Sequence, residues 1–171
     1  MEVIESKKLP GLLLIKPEVA YDDRGDHAMV YHKDQYTKLG LPEFVEHCIS
    51  RSRWGVLRGI HADYAADKLY EVVSGRAWYL FIDCREVSSS FGEWEAYILS
   101  GDNRYQVYKP KEYANALVVL SDDTVLHYLQ DSYYDKARQV TYRWDDPRFK
   151  IVWPISNPIL SERDLTAGER W

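Results

Sequence analysis

An all-β fold, a barrel or sandwich with short peripheral helices, is predicted by three features of this chain. Strand-like runs recur at short intervals, and turn signals divide them: DDRG at 22–25, SGR at 74–76 and SGDN at 100–103. Many runs alternate in character; WYLFID sets Trp78, Leu80 and Ile82 against Tyr79, Phe81 and Asp83. Aromatic residues make up 14% of the chain, with 14 tyrosines and 6 tryptophans, which favours pleated surfaces and sites for flat or sugar-like ligands.

Taken in order, the first strand is expected over 11–16, where LLLI reads as a buried run too short for a signal core or a membrane span. A second follows over 27–32. Asp34 is placed to cap a short helix ending before Gly40, and LPEFVEHC adds a further turn. The remaining strands are expected at 56–61, 69–74, 76–83, 95–99, 105–108, 116–120, 124–130 and 139–143. WDDPRFKIVWP, 144–154, holds two prolines and reads as an ordered surface segment. Ser161 and Asp164 have capping-box spacing.

The 171 residues fit one domain, 1–171, with a single core, and 46% hydrophobic with 29% charged residues argues against disorder. A net charge of −5 excludes bulk attraction to nucleic acid, so an anionic ligand must be met by locally placed arginines. Cys48 and Cys84 lack metal-ligand spacing and read as reduced thiols of a cytoplasmic protein.

GVLRGIHADYAADKLYEVVSG, 55–75, has the frame of a first cupin motif, a glycine, five residues, then His61, closing on Gly75. The fold expected is therefore a cupin-type β-barrel, a jelly roll. The frame's second histidine and its glutamate are replaced by Asp63 and Lys68, and in PKEYANALVVL the later histidine place holds Asn115. Only His61 survives as a good ligand, while a catalytic first-row metal needs at least about three and Lys68 would repel it. No metal is expected. A histidine and a lysine in a metal-free cavity suit proton abstraction beside a carbonyl, with the ammonium holding the developing oxyanion. Both residues also have ordinary structural readings, a strand histidine and a solvated lysine.

LRGIH, KLYEVVSG, DDRG, SRS, VVLSD, YLQDSYY, WDDP and LSERD fall in order along nearly the whole chain. Together they resemble the nucleotide-sugar 3,5-epimerases, whose archetype is the dTDP-4-dehydrorhamnose 3,5-epimerase of rhamnose synthesis. The resemblance implies roles. His61 matches the catalytic base and Asp164 the carboxylate that orients it; Lys68 matches the enolate stabiliser and Tyr128 the opposing proton donor. Arg24 and Arg58 match arginines that hold the diphosphate, although Arg24 could equally pair with Asp22 or Asp23. It implies no nicotinamide or flavin, and a homodimer whose N-terminal strands cross to the partner.

Departures cluster on recognition. FVEHCISRS places Glu46 and Cys48 where the family has a glutamine and an asparagine near the diphosphate-sugar. Met29 stands near the place of a glutamate that reads the base, and Asn115 replaces a histidine. The expectation is an epimerase acting at C3, C5 or both of a nucleotide-linked 4-keto-6-deoxy sugar, with the nucleotide GDP or CDP rather than dTDP and the sugar a heptose as one candidate. A keto-sugar 3,4-isomerase and a non-catalytic nucleotide-sugar-binding cupin are the alternatives. No nucleic-acid or membrane partner is expected.

Overall fold

The computed structural model describes residues 1–167. Strands β1 (Glu2–Glu5), β2 (Leu13–Lys16), β3 (Val19–Asp22) and β4 (Gly25–Ala28) lead into helix α1 (Lys33–Lys38). Then come β5 (Glu46–Ser52), β6 (Leu57–Ala62), β7 (Lys68–Ser74), β8 (Arg76–Ile82) and β9 (Trp94–Ser100). The chain continues through β10 (Gln106–Lys109), β11 (Ala114–Val119), β12 (Thr124–Gln130), β13 (Val140–Thr141) and helix α2 (Glu162–Leu165). No helix among the described residues is long and apolar enough to cross a membrane.

The barrel has two walls. A six-stranded sheet runs β1-β2-β10-β7-β12-β5 and a five-stranded sheet runs β13-β6-β11-β8-β9, every pairing antiparallel. This is the predicted cupin-type jelly roll, and alternation along the strands builds it. In β8, Tyr79 and Phe81 point into the interior with Tyr70, Val72, Val107, Leu117 and Leu126. Leu80 and Ile82 point the other way, against Ile60, Ala114 and Phe149. The segment after β13 covers that outer face, setting Trp153 edge-on to Trp78 and tilted against Trp144, with ring centroids 5.5 and 6.1 Å apart. It contains no strand, as its prolines predicted.

Three expectations needed correction. Glu46–Ser52, expected to begin as a helical turn, is a seven-residue strand at the edge of the larger sheet. Of the predicted strand 27–32 only His27 and Ala28 are paired, in the short second arm of a hairpin, β3–β4, that joins neither main sheet, and 29–32 form no strand. Helix α1 forms as expected, but its N-cap is His32, without a side-chain cap, and Asp34 sits in the first turn. Ser161 does cap α2, accepting from the Asp164 N–H at 3.2 Å.

Candidate active site

One cavity of about 280 Å³ opens between the two walls. From the smaller sheet it is lined by Arg58 and His61 of β6 and Asn115 of β11; from the larger, by Cys48 and Ser50 of β5, Lys68 and Tyr70 of β7, and Tyr128 of β12.

Arg58 and His61 should lie on opposite faces of a regular strand. Both line the cavity because the β6–β11 register slips: Asn115 faces His61 while Leu117 faces Arg58, so an extra residue bulges in between. Gly59 makes this possible. It has φ +122, and a Cβ there would lie 2.7 Å from that of Ala116. The LRG-x-H motif is therefore a geometric requirement.

His61 Nε2 lies 2.6 Å from Asp164 Oδ1, joining the barrel wall to α2 across 103 residues. Asp164 is 3% exposed and its other oxygen accepts from Ser161 Oγ at 2.9 Å. Burial opposes its charge, but the hydrogen bond and charge of His61, with Ser161 and the Gly59 N–H, outweigh it and hold the carboxyl below its usual range. A carboxylate accepting from Nε2–H leaves Nδ1 as the basic nitrogen, and none of the described residues bonds to it.

The larger sheet supplies two cross-strand rows. Cys48, Tyr128 and Tyr70 face one another across β5, β12 and β7; Glu46, Gln130 and Lys68 form the next row. Lys68 is 8% exposed, and burial lowers its pKa against the opposing pull of Asp63, Cys48 and Glu46. Its ammonium has no hydrogen-bond partner among the described residues and lies 5.4 Å from the ring centroid of Tyr128. Burial, then Cys48, pushes the Tyr128 phenol well up, so it stays protonated at neutral pH. The base candidate and the phenol thus come from opposite walls of one cavity.

Arg58 is steadied by Ser52, whose Oγ accepts from its Nε at 3.2 Å and Nη2 at 2.9 Å. Several lining residues escaped sequence reasoning, Tyr70 of β7 among them. Arg163, one place before Asp164, donates to Thr141 Oγ1 at 2.6 Å and adds a second guanidinium to the lining. Tyr134 and Gln139 come from the loop after β12. The charge of Arg163 within LSERD was the available signal.

Other predicted residues lie elsewhere. Arg24 pairs with Asp22, at 3.1 and 2.6 Å, and its side chain is 90% exposed at the hairpin tip. This is the ion pair that rivalled its diphosphate role. Met29 lines a different hollow, with Met1, Pro17 and His27. Glu46 turns onto protein: it accepts from Gln130 Nε2 and the Tyr134 N–H, each at 3.0 Å. Its carboxylate therefore needs no substrate partner. Asp63 is likewise engaged, by Gln139 Nε2 at 2.8 Å. Among the described residues no three His, Cys, Asp or Glu side chains gather as a metal site.

Fold and cavity define a cupin-type barrel protein equipped for acid–base chemistry. A family profile described as dTDP-4-dehydrorhamnose 3,5-epimerase matches residues 6–169. The chain is 36% identical to the dTDP-4-dehydrorhamnose 3,5-epimerase of Escherichia coli (strain K12), over 96% of this chain and 91% of that protein. It superposes with TM-score 0.91 and 32% identity on an epimerase from Legionella pneumophila in complex with dTDP-4-keto-L-rhamnose, covering 97% of this chain and 90% of that one. It superposes with TM-score 0.90 and 27% identity on ChmJ, a 3'-monoepimerase from Streptomyces bikiniensis in complex with dTDP-quinovose, covering 96% and 86%. The chain belongs to the dTDP-4-dehydrorhamnose 3,5-epimerase family.

Proposed function

We propose that the protein is an epimerase that inverts C3, C5 or both of a nucleotide-linked 4-keto-6-deoxy sugar by proton removal and return, without a metal or redox cofactor. The observation that carries this reading is the pairing of His61 with buried Asp164 on one wall, opposite Lys68 and Tyr128 on the other.

A ketone acidifies hydrogens on its neighbouring carbons. His61 Nδ1 removes one, and Asp164 stabilises the imidazolium that forms. The unpartnered Lys68 ammonium receives the charge that gathers on the carbonyl oxygen. Tyr128 returns a proton from the far face; because donor and acceptor stand on opposite walls, configuration inverts. Arg58 and Arg163 at the same cavity suit the diphosphate.

Arg24 and Met29 enter this reading through a second copy of the chain. We propose a homodimer in which hairpin β3–β4 reaches the partner's cavity. Its support is that the hairpin joins neither sheet, carries Tyr21 at 71% exposure, and leaves edge strand β5 uncovered beside the cavity. Recognition is where the chain departs from family pattern, at Met29, Cys48 and Asn115, while the acid–base set is intact.

The test is incubation with dTDP-, GDP- and CDP-linked 4-keto-6-deoxy sugars, with product configuration read by NMR. An inverted C3 or C5 centre is expected with one of them. Movement of the carbonyl from C4 to C3 makes the protein an isomerase instead, and binding without any conversion makes it a lectin-like cupin.

A further inference from the structure

Tyr70 has no place in the acid–base set, yet it stands inside the cavity, on β7, in register with Tyr128 and with ring centroids 5.8 Å apart. It is 5% exposed. Burial, ahead of the neighbouring Tyr79 and Tyr128, pushes its phenol well above the ordinary range, so its hydroxyl is a permanent donor. That hydroxyl reaches across to the opposite wall and donates to Asn115 Oδ1 at 2.7 Å.

The contact decides which way the Asn115 amide faces. Oxygen toward Tyr70 satisfies the phenolic proton; the reversed amide would leave that buried proton without an acceptor, which is strongly unfavourable. The amide NH₂ is thereby turned away from Tyr70, and no described residue accepts from it. Asn115 is the direct cross-strand partner of His61 and lines the same cavity. An unfilled neutral donor thus stands beside the base.

We infer that Tyr70 is a positioning residue for substrate selection: it locks the Asn115 amide with its NH₂ toward the sugar, so the cavity selects an oxygen acceptor beside His61, a hydroxyl or ring ether, over an ammonium group. This deepens the epimerase reading and rests on it. The chemistry of selection is simple. An NH₂ donor meets a hydroxyl oxygen as an acceptor but opposes the donors of a protonated amino sugar, which cannot accept.

Tyr70→Phe removes one oxygen and Asn115→Ala removes the amide; each is measured alone and together, in kcat, KM and melting temperature. Asn115→Ala should reduce kcat/KM by about 10-fold or more, as expected for a lost hydrogen bond to a polar substrate group. Tyr70→Phe should reduce it by a smaller factor, about 3- to 10-fold, chiefly through KM, because the amide is still present but rotates. In the Asn115→Ala background Tyr70→Phe should add less than about 2-fold, the signature of one residue acting through the other. Additive losses, or an unchanged kcat/KM in properly folded Tyr70→Phe, overturn the inference.

A second readout needs no turnover. The Asn115 side-chain amide should give two well-separated proton signals in the ¹⁵N-labelled wild type, and these should move and broaden in Tyr70→Phe. Unchanged signals in that variant defeat the lock. If the wild type converts no keto sugar, the epimerase reading falls, and the amide signals still decide the Tyr70–Asn115 lock.

Discussion

Asp164→Asn isolates the carboxylate's charge from its shape. The side chain keeps its volume in a site that is 3% exposed, and a rotated amide can still offer its oxygen to His61 Nε2–H and its NH₂ to Ser161 Oγ. What disappears is the negative charge 2.6 Å from the imidazole. A hydrogen bond to a charged group contributes about 1.5–3 kcal/mol against about 1 kcal/mol for a neutral one, so the bond alone weakens by roughly 1–2 kcal/mol. The loss grows in the transition state, where the ring is cationic and the carboxylate that balanced it has gone. Loss of tautomer control adds to it; in the serine-protease triad the equivalent change lowers kcat by about 10⁴. The expected fall is therefore about 10²–10⁴-fold in the rate of carbon–deuterium exchange, with far-UV circular dichroism unchanged. Because the Asp164 pKa is lowered in the fold, its contribution to stability is present above the ordinary carboxylate pKa and fades as pH falls through the folded value. The Asp164→Asn variant should lack that acid-side dependence. Exchange within about 10-fold of wild type would refute the claim that this pair polarises the base.

Tyr128→Phe should lose inversion while keeping exchange from the His61 face, whereas His61→Ala should lose both; equal loss in the two variants, read by NMR in D₂O, would reject the division of labour. Lys68→Met should slow exchange by about 10²–10³-fold, the scale of removing one oxyanion partner, with folding intact. Lys109 offers a test of the fold. It is fully buried on the inner face across from Lys68, donates to the Pro110 and Tyr113 carbonyls at 3.1 and 2.9 Å, and burial, then Lys68, lowers its pKa to about 7. Between that value and 10.5 the unfolded chain holds a proton the fold has shed, so wild-type stability gains about 1.4 kcal/mol per pH unit from this group. Lys109→Met should lack the gain. Relative to wild type its stability should drop by about 3 kcal/mol between about pH 6 and 9 in urea unfolding, and parallel curves would contradict the burial of a titrating amine.

The core strands were legible because they are periodic: in β8 each of the two apolar sets found its own layer. Strand β5 was not, because an edge strand lining a polar cavity carries Glu46, His47, Ser50 and Arg51 in place of an apolar stripe. His61 and Lys68 could be found from the cupin frame, and Asp164 from the family motif, since local capping and catalytic pairing use the same residue. The bulge that turns Arg58 and His61 to one face is a property of two strands and left only Gly59 as its trace. Tyr70 was hidden among 14 tyrosines; its distinction is the partner on the opposite wall, 45 residues away. Arg24 matched the family pattern and Met29 stood where the chain departs from it, yet the fold of a single chain holds Arg24 on the hairpin and Met29 just after it, outside the cavity.

In the proposed mechanism a carboxylate-backed imidazole enolises a keto sugar inside this barrel. The most direct measurement of that step is deuterium incorporation from D₂O into a dTDP-linked 4-keto-6-deoxy sugar, followed carbon by carbon with wild-type enzyme and with His61→Ala. Deuterium beside the ketone, at C3, C5 or both, is expected in the wild type alone. Undiminished exchange in His61→Ala, or none in wild type with dTDP, GDP or CDP sugars, would contradict it.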